Sequence, residues 1–294
     1  MNRREALRHG TRTLRDAGVD MPHLDSAVLL CSALGCKKEE LYTEADKEVP
    51  LCRLLRFSEM LKRRTGGEPV QYITRSREFM SLAFKVSPAV LIPRPETELL
   101  VEKALDLCRA RLRGCCALTL LDIGTGSGAI AVSLAVWLKR EFQHIDLHVI
   151  ATDVSEKALA VAAENARAHG VTHVIEFLCG DTWEPLDMSV DAVVSNPPYI
   201  KSSELTQLSG EVRLHEPLLA LDGGHDGLCH YRKILGGIRE HLRPDGFVAF
   251  EVGMGQAKQV HRLLLDAGFD EAGVERDLQH IERVVWAQSL RGDG

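Results

Sequence analysis

The chain has 294 residues, 45% hydrophobic and 27% charged, which suits a globular protein of one large domain or two modest ones. Lys and Arg total 36 against 42 Asp and Glu, a net charge of -6. That balance argues against a protein whose main task is gripping bare nucleic acid, because phosphate contacts need a basic excess. The longest strongly apolar run, Ala129 to Leu138, falls well short of the roughly 20 residues of a membrane span, so no membrane role is expected. The eight cysteines include no C-x-x-C pair, which predicts no metal site and buried or idle thiols in a reducing compartment.

Arg3, Arg4, Arg8, Arg12 and Arg15 give the start a faint look of an organelle presequence. Glu5, Asp16 and Asp20 interleave with them, and Ala6, Leu7, Leu14 and Ala17 fall at helical spacing, so an amphipathic first helix is expected instead. A second helical segment opens at Pro22, with Leu24, Ala27, Val28, Leu29 and Leu30 crowding one face. A further one carries Leu51, Leu54, Leu55, Met60 and Leu61 and stops at Thr65-Gly66-Gly67. Nothing in this front region resembles a catalytic constellation. Residues 1–75 are therefore expected to form a helical, partner-binding domain.

From Glu78 to Val86 aromatic and polar residues alternate, which predicts one or two short strands. Ile92-Pro93-Arg94-Pro95-Glu96 follows as a stiff, extended connector, with Pro95 and Glu96 suited to a first helical turn. Residues 76–96 are expected to link the front domain to a second domain, 97–294, which opens with a helix over Thr97 to Leu112. Strands and helices then alternate: strand Leu118–Ile123, helix Gly128–Lys139, strand Leu147–Thr152, helix Glu156–His169. Further strand-like runs cover Val174–Leu178, Val190–Val194, Phe247–Val252, Val274–Arg276 and Arg283–Ala287. Such alternation predicts a mostly parallel, doubly wound sheet that binds ligands beyond the carboxyl ends of its strands.

Each motif falls at such an end. Gly124-Thr125-Gly126-Ser127-Gly128 follows the first strand of the second domain, and glycines there admit close backbone approach and positive φ. Gly126-x-Gly128-x-x-Ala131 also fits a dinucleotide fingerprint. Asp153 closes the next strand, where a carboxylate accepts from both ribose hydroxyls of an adenosine cofactor, so NAD and S-adenosylmethionine fit equally at this point. Gly180-Asp181-Thr182-Trp183 ends the third strand and offers an acid for an adenine amino group.

Asn196-Pro197-Pro198-Tyr199 after the fourth strand is the most specific string. An amide or exocyclic amine is a poor nucleophile because its lone pair is delocalised. If both N–H groups donate to fixed acceptors, here the Asn196 side-chain oxygen and the Pro197 carbonyl, the lone pair can face an electrophile. The prolines stiffen the loop, and Tyr199 offers a ring face for a planar group. The pattern favours methyl transfer from S-adenosylmethionine over hydride chemistry, for which no proton-handling side chain stands at convincing spacing.

The chain also resembles the release-factor glutamine methyltransferases, the HemK/PrmC family, from about Ala6 to Gln288. The resemblance is carried by Leu91 to Glu98, Asp122 to Ile130, Ala151 to Asp153, Asn196 to Ile200, Glu216-Pro217, Ala220 to Leu228, and Glu251-Val252-Gly253 with Gln256. It implies a class I methyltransferase, Rossmann-like α/β fold with a small helical N-terminal domain and a β-hairpin connector. It implies methylation of the glutamine side-chain amide in the Gly-Gly-Gln motif of peptide-chain release factors, in the cytoplasm, with no metal and no nucleic acid required. Carried over by position, Gly124, Thr125, Gly126, Ser127, Gly128, Asp153, Asp181 and Thr182 or Trp183 would hold the cofactor, and Asn196 to Tyr199 the glutamine. A sister family methylates a ribosomal-protein glutamine, but a serine tends to follow its connector arginine, where this chain has Pro95. Base amino-methyltransferases share the Asn-Pro-Pro-Tyr string and remain the other alternative.

Overall fold

A computed structural model of the chain describes residues 1–290. They form two compact units, one comprising residues 1–76 with 209–215, the other residues 77–208 and the remainder from 216.

The first unit is helical. α1 (Arg3–Asp16) starts at a reciprocal cap, in which Asn2 Oδ1 accepts from the Glu5 N–H and the Glu5 carboxylate from the Asn2 N–H, both at 2.9 Å. α2 (Pro22–Leu34) opens with proline and stops at Gly35, which takes φ +72°. α3 (Lys38–Thr43), α4 (Leu51–Thr65) and α5 (Val70–Thr74) follow. Leu14, Leu29, Leu30, Phe57 and Leu61 make the core. Leu24, Val28, Leu51 and Leu55, expected to share the buried faces, are instead exposed. Ser26 and Phe57 take buried positions on the same helices, because α2 packs on α1, α3, α4 and α5, and α4 on α1, α2 and α5, so their buried arcs are rotated from the most apolar stripe. The short helix Gly210–His215, α9 in chain order, belongs to this unit, and its Glu211 and Asp25 both bind the half-buried Arg64, at 2.9 and 2.7 Å.

The second unit opens with the hairpin β1 (Ser76–Phe79) and β2 (Leu82–Lys85). Met80 and Ser81 between them have φ of +50° and +60°, the mirror-image turn whose twist suits a two-residue hairpin. α6 (Thr97–Leu112) leads into β3 (Ala117–Ile123), α7 (Ala129–Glu141), β4 (Asp146–Asp153), α8 (Glu156–Ala168), β5 (Ile175–Cys179) and β6 (Val190–Ser195). α10 (Cys229–Gly236), α11 (Ile238–His241), β7 (Leu242–Glu251), α12 (Ala257–Asp266), β8 (Phe269–Arg276) and β9 (Glu282–Leu290) complete it. The sheet order is β5-β4-β3-β6-β7-β9-β8. β5, β4, β3, β6 and β7 are mutually parallel, and β9 runs antiparallel to both β7 and β8. The class I methyltransferase-type α/β sheet expected from the sequence is thus the one observed. After β3 the chain builds outward through β4 and β5, then returns to place β6 on the other side, so the switch point lies between β3 and β6.

Among the described residues no helix is long and apolar enough to cross a membrane, and no His, Cys, Asp and Glu cluster is placed to hold a metal. All eight cysteines are free; only Cys108 is buried and five are exposed. Burial, aided by neighbouring Cys36, pushes the Cys31 thiol up to about 11.

One buried carboxylate fastens the sheet to its flank. Asp191 of β6, 3% exposed, accepts from the Thr119 N–H of β3 at 2.8 Å, Arg111 of α6 at 2.5 Å and Arg243 of β7 at 2.6 Å. Burial alone would raise its pKa, but these donors outweigh burial and hold it below the usual carboxylate range. Its contribution is therefore present at neutral pH and lost as pH falls through the depressed value. Asp191→Ala, which leaves two arginines without their acceptor, is expected to cost about 3 kcal/mol or more, read by denaturant unfolding, and to flatten the loss of stability in acid.

Candidate active site

A cavity of about 290 Å³ opens at the carboxyl ends of β3, β4, β5 and β6. Gly124, Gly126, Asp153, Asp181, Thr182, Asn196, Pro197 and Pro198 line it with Leu91 of the connector, together with residues the motifs did not single out: Ala89, Val90, Ala158, Leu219, His230 and Ile234. A groove of about 560 Å³ in the helical unit, lined by Arg4, Arg8, Arg12, Arg15, His23 and Tyr42 among others, carries no acid or amide side chain.

The glycine loop is braced from three sides. The Asp153 carboxylate accepts from the N–H groups of Gly126 and Ser155, each at 2.9 Å, and burial raises its pKa against those bonds. Asp122, 1% exposed, accepts from the Thr125 hydroxyl at 2.7 Å and the Ala131 N–H at 3.1 Å, while its Oδ1 has no partner. Burial pushes Asp122 up to about 7. Asn165 of α8, fully buried, pairs with both the N–H and the C=O of Lys85 at 2.7 and 3.0 Å and donates to the Ser127 carbonyl at 2.8 Å. Gly128 has φ +77°, and a Cβ there would stand 3.0 Å from that of Ala162. Glycine at 128 lets α7 and α8 approach. Thr125, Ser127 and Gly128 thus shape the loop from behind, outside the cavity lining. A Cβ on Gly124 or Gly126 would instead meet open space, which leaves room for a ligand against the backbone.

Thr182 lines the cavity with φ +60°, uncommon for a residue with a side chain, and donates to Asp181 at 2.8 Å. Asp181 is also paired with Lys233, which holds its carboxyl below the usual range. Trp183, the other candidate beside a ring, points elsewhere: its N–H donates to the Ile234 carbonyl at 2.9 Å and its ring stacks on His241 at 4.7 Å.

The Asn196 loop leaves β6 beside the loop after β3, and the Ser195 hydroxyl donates to the Ile123 carbonyl at 2.6 Å. The Ile200 N–H donates to the Leu221 carbonyl at 3.1 Å and the Gly223 N–H to the Ile200 carbonyl at 2.7 Å. A Cβ on Gly223 would collide with the Tyr199 backbone at 2.7 Å. Gln256 Nε2 donates to the Tyr199 carbonyl at 2.9 Å. Tyr199 itself is not in the cavity lining; its hydroxyl donates to Glu251 at 3.4 Å. Asn196 Nδ2 donates to Thr97 Oγ1 at 3.2 Å. The connector is held where Arg94 meets the buried Glu216 at 2.6 Å.

Residues 5–74 match the model of the PrmC N-terminal domain and residues 97–215 that of the Methyltransferase small domain. A release factor glutamine methyltransferase of Moorella thermoacetica is 45% identical, with 91% of each chain covered. Another, of Cereibacter sphaeroides, is 39% identical over 98% of this chain and 99% of its own. The chain belongs to the release factor glutamine methyltransferase family. Solved structures add the fold. The hMettl16 catalytic domain in complex with MAT2A 3′UTR hairpin 6 is 15% identical with TM-score 0.56, covering 76% of this chain and 81% of that one. A methyltransferase from Pyrococcus furiosus is 18% identical with TM-score 0.50, covering 71% and 90%.

For a member of this family the unforeseen residues are Thr97 and Glu251, which carried the resemblance without a role. Glu251 is 2% exposed at the end of β7, and burial pushes it up to about 7 from 4.5, against the hydroxyls of Thr97 and Tyr199. Because its folded pKa is raised, the folded state keeps a proton that the unfolded chain releases. Stability therefore falls as pH rises from about 4.5 to about 7 and stays low above that window. Glu251→Gln is expected to melt above the wild type at about pH 8, by on the order of 1–3 kcal/mol, with the gap closing toward about pH 5 in thermal melts.

Proposed function

We propose that this chain transfers a methyl group from S-adenosylmethionine to the side-chain amide nitrogen of the glutamine in the Gly-Gly-Gln motif of release factors. The observation that carries the reading is the meeting of Asn196, Pro197 and Pro198 with Gly124, Gly126 and Asp153 in one cavity at the sheet's switch point. The names of the relatives, release factor glutamine methyltransferases over most of the chain, support the substrate.

The residues present fit such a cofactor. Gly124 and Gly126 leave open space against backbone, Asp153 offers acceptor oxygens, and Thr182 with Asp181 lines the cavity beyond β5. When bound, the cofactor supplies an electrophilic methyl on a sulfonium, which needs an oriented acceptor more than a strong base. The protein's part is orientation. Asn196 Oδ1 and the Pro197 carbonyl take the two amide hydrogens of the substrate, which turns the nitrogen lone pair out of conjugation and toward the methyl. Pro197 and Pro198 have no N–H to compete for those acceptors. Tyr199, held through its carbonyl by Gln256, anchors the end of the loop. The arginine-lined helical unit, residues 1–75, serves recognition of the protein substrate, and cytoplasmic location follows from that substrate.

Mass spectrometry of a release factor after incubation with enzyme and cofactor tests the reading: one added methyl on the Gly-Gly-Gln glutamine is expected. Asp153→Ala is expected to weaken cofactor binding by about 1.5–3 kcal/mol in calorimetry, and unchanged affinity would remove Asp153 from the cofactor site. Asn196→Ala is expected to keep cofactor affinity but lower turnover roughly 10²–10³-fold. Near-wild-type single-turnover rates in that variant would end the acceptor role. Tyr199→Phe should be milder than Tyr199→Ala.

A further inference from the structure

An amide side chain has two ends of nearly equal shape, one a double acceptor and the other a double donor. The proposed reaction needs the oxygen of Asn196 in the cavity and its NH₂ turned away. What decides is the partner on the far side, Thr97 at the start of α6, 4% exposed, whose Oγ1 receives Asn196 Nδ2 at 3.2 Å. A hydroxyl has one proton. To accept from Asn196, Thr97 directs that proton elsewhere, and the acceptor beside it is the buried carboxylate of Glu251, whose pKa the Thr97 hydroxyl draws down. The Tyr199 hydroxyl donates to Oε1 of the same carboxylate, while Oε2 is buried without a partner.

Resting on the amide-methylation reading, we propose that Thr97 and Glu251 are positioning residues that set which end of the Asn196 amide faces the substrate. The direction of the hydrogen-bond chain is fixed at its carboxylate end. An ionised Glu251 only accepts, so Thr97 donates to it, accepts from Asn196 Nδ2 and leaves the Asn196 oxygen toward the cavity. A protonated Glu251 carries both a donor and an acceptor, so it no longer imposes a direction: Thr97 is then free to donate to the Asn196 oxygen, which puts the NH₂ toward the substrate, donor against donor.

The charged and titratable groups around Glu251 are Glu96 before α6, Arg283 of β9, Tyr199 of the loop and Tyr231 of α10, whose hydroxyl donates to the Glu251 carbonyl at 2.7 Å. Arg94 of the connector faces Tyr199. Burial and Glu96 push the carboxyl up, Thr97, Arg283 and Tyr199 pull it down, and the balance lies at about 7. The relay therefore loses its fixed direction as pH falls through the neutral range, and the imposed, active direction belongs to the alkaline side.

The test is methylation of release factor by the full chain, with steady-state and single-turnover rates across about pH 6 to 8.5. A wild-type chain that leaves the glutamine unmethylated overturns the proposed function and the relay with it; the remaining outcomes bear on the relay alone. Thr97→Val keeps the shape and removes the hydroxyl. It is expected to lower kcat roughly 10- to 100-fold while the KM for release factor and the cofactor affinity stay within about threefold. Thr97→Ser is expected to restore most of the rate. Glu251→Gln, which cannot ionise, is expected to lose the acid limb that the wild type shows near neutrality. Wild-type kcat in a folded Thr97→Val, or an unchanged acid limb in Glu251→Gln, overturns the relay. Should Thr97→Val fail to fold, the Glu251→Gln profile and a wild-type-like rate in Thr97→Ser decide by the same criteria.

Discussion

Two consecutive prolines remove two N–H donors from the loop after β6, so that loop cannot hold itself by its own backbone bonds. It is held from outside. Leu221 and Gly223 pair with Ile200, Gln256 takes the Tyr199 carbonyl, and Ser195 ties the end of β6 to the end of β3. Each brace comes from a different stretch of chain, and each needs the sheet order to bring it there. The Asp-Gly-Gly string at Asp222 to Gly224 exists in this position because any larger residue at 223 would push the Tyr199 backbone away. The acceptor geometry at Asn196 is thus a property of the fold edge and cannot be transferred with the four-residue string alone.

The alternation of strand and helix was readable because each element obeys its own local rule. The helix expected over Thr97 to Leu112 has those bounds in the structure, with the connector prolines before it and the Arg113-Gly114 turn after it. Five parallel strands were visible as short β-branched runs, since a strand buried on both faces needs no alternation. Strand order was not readable, because pairing is decided by packing across the whole sheet. The front helices misled at Leu24, Val28, Leu51 and Leu55, where an apolar residue implied burial that neighbouring helices do not provide.

The same division holds at the candidate site. Gly124, Gly126, Asp153, Asp181, Thr182 and Asn196 were marked one by one at strand ends, and strand ends converge in this architecture, so they share a cavity. Trp183 looked equal to Thr182 in the string, yet one residue further on the chain has turned and its indole faces α10 and α11. Thr97 and Asn196 stand 99 residues apart, and no periodicity relates them. Long-range polar partners of this kind are legible only once the backbone has placed them.

Asn165 has a consequence of another kind. Its side chain behaves as a borrowed peptide unit, matching the N–H and C=O of Lys85 as a neighbouring strand would, with a third bond to the glycine loop. Aspartate would lose both donors, leucine all polarity, and glutamine would be a methylene too long for the closed space around a fully buried position. Position 165 therefore has no conservative neighbour in amino-acid space. Drift there has to proceed by a concerted change in the hairpin or the loop, which makes this asparagine a fixed point around which the rest of the strand-end chemistry can vary.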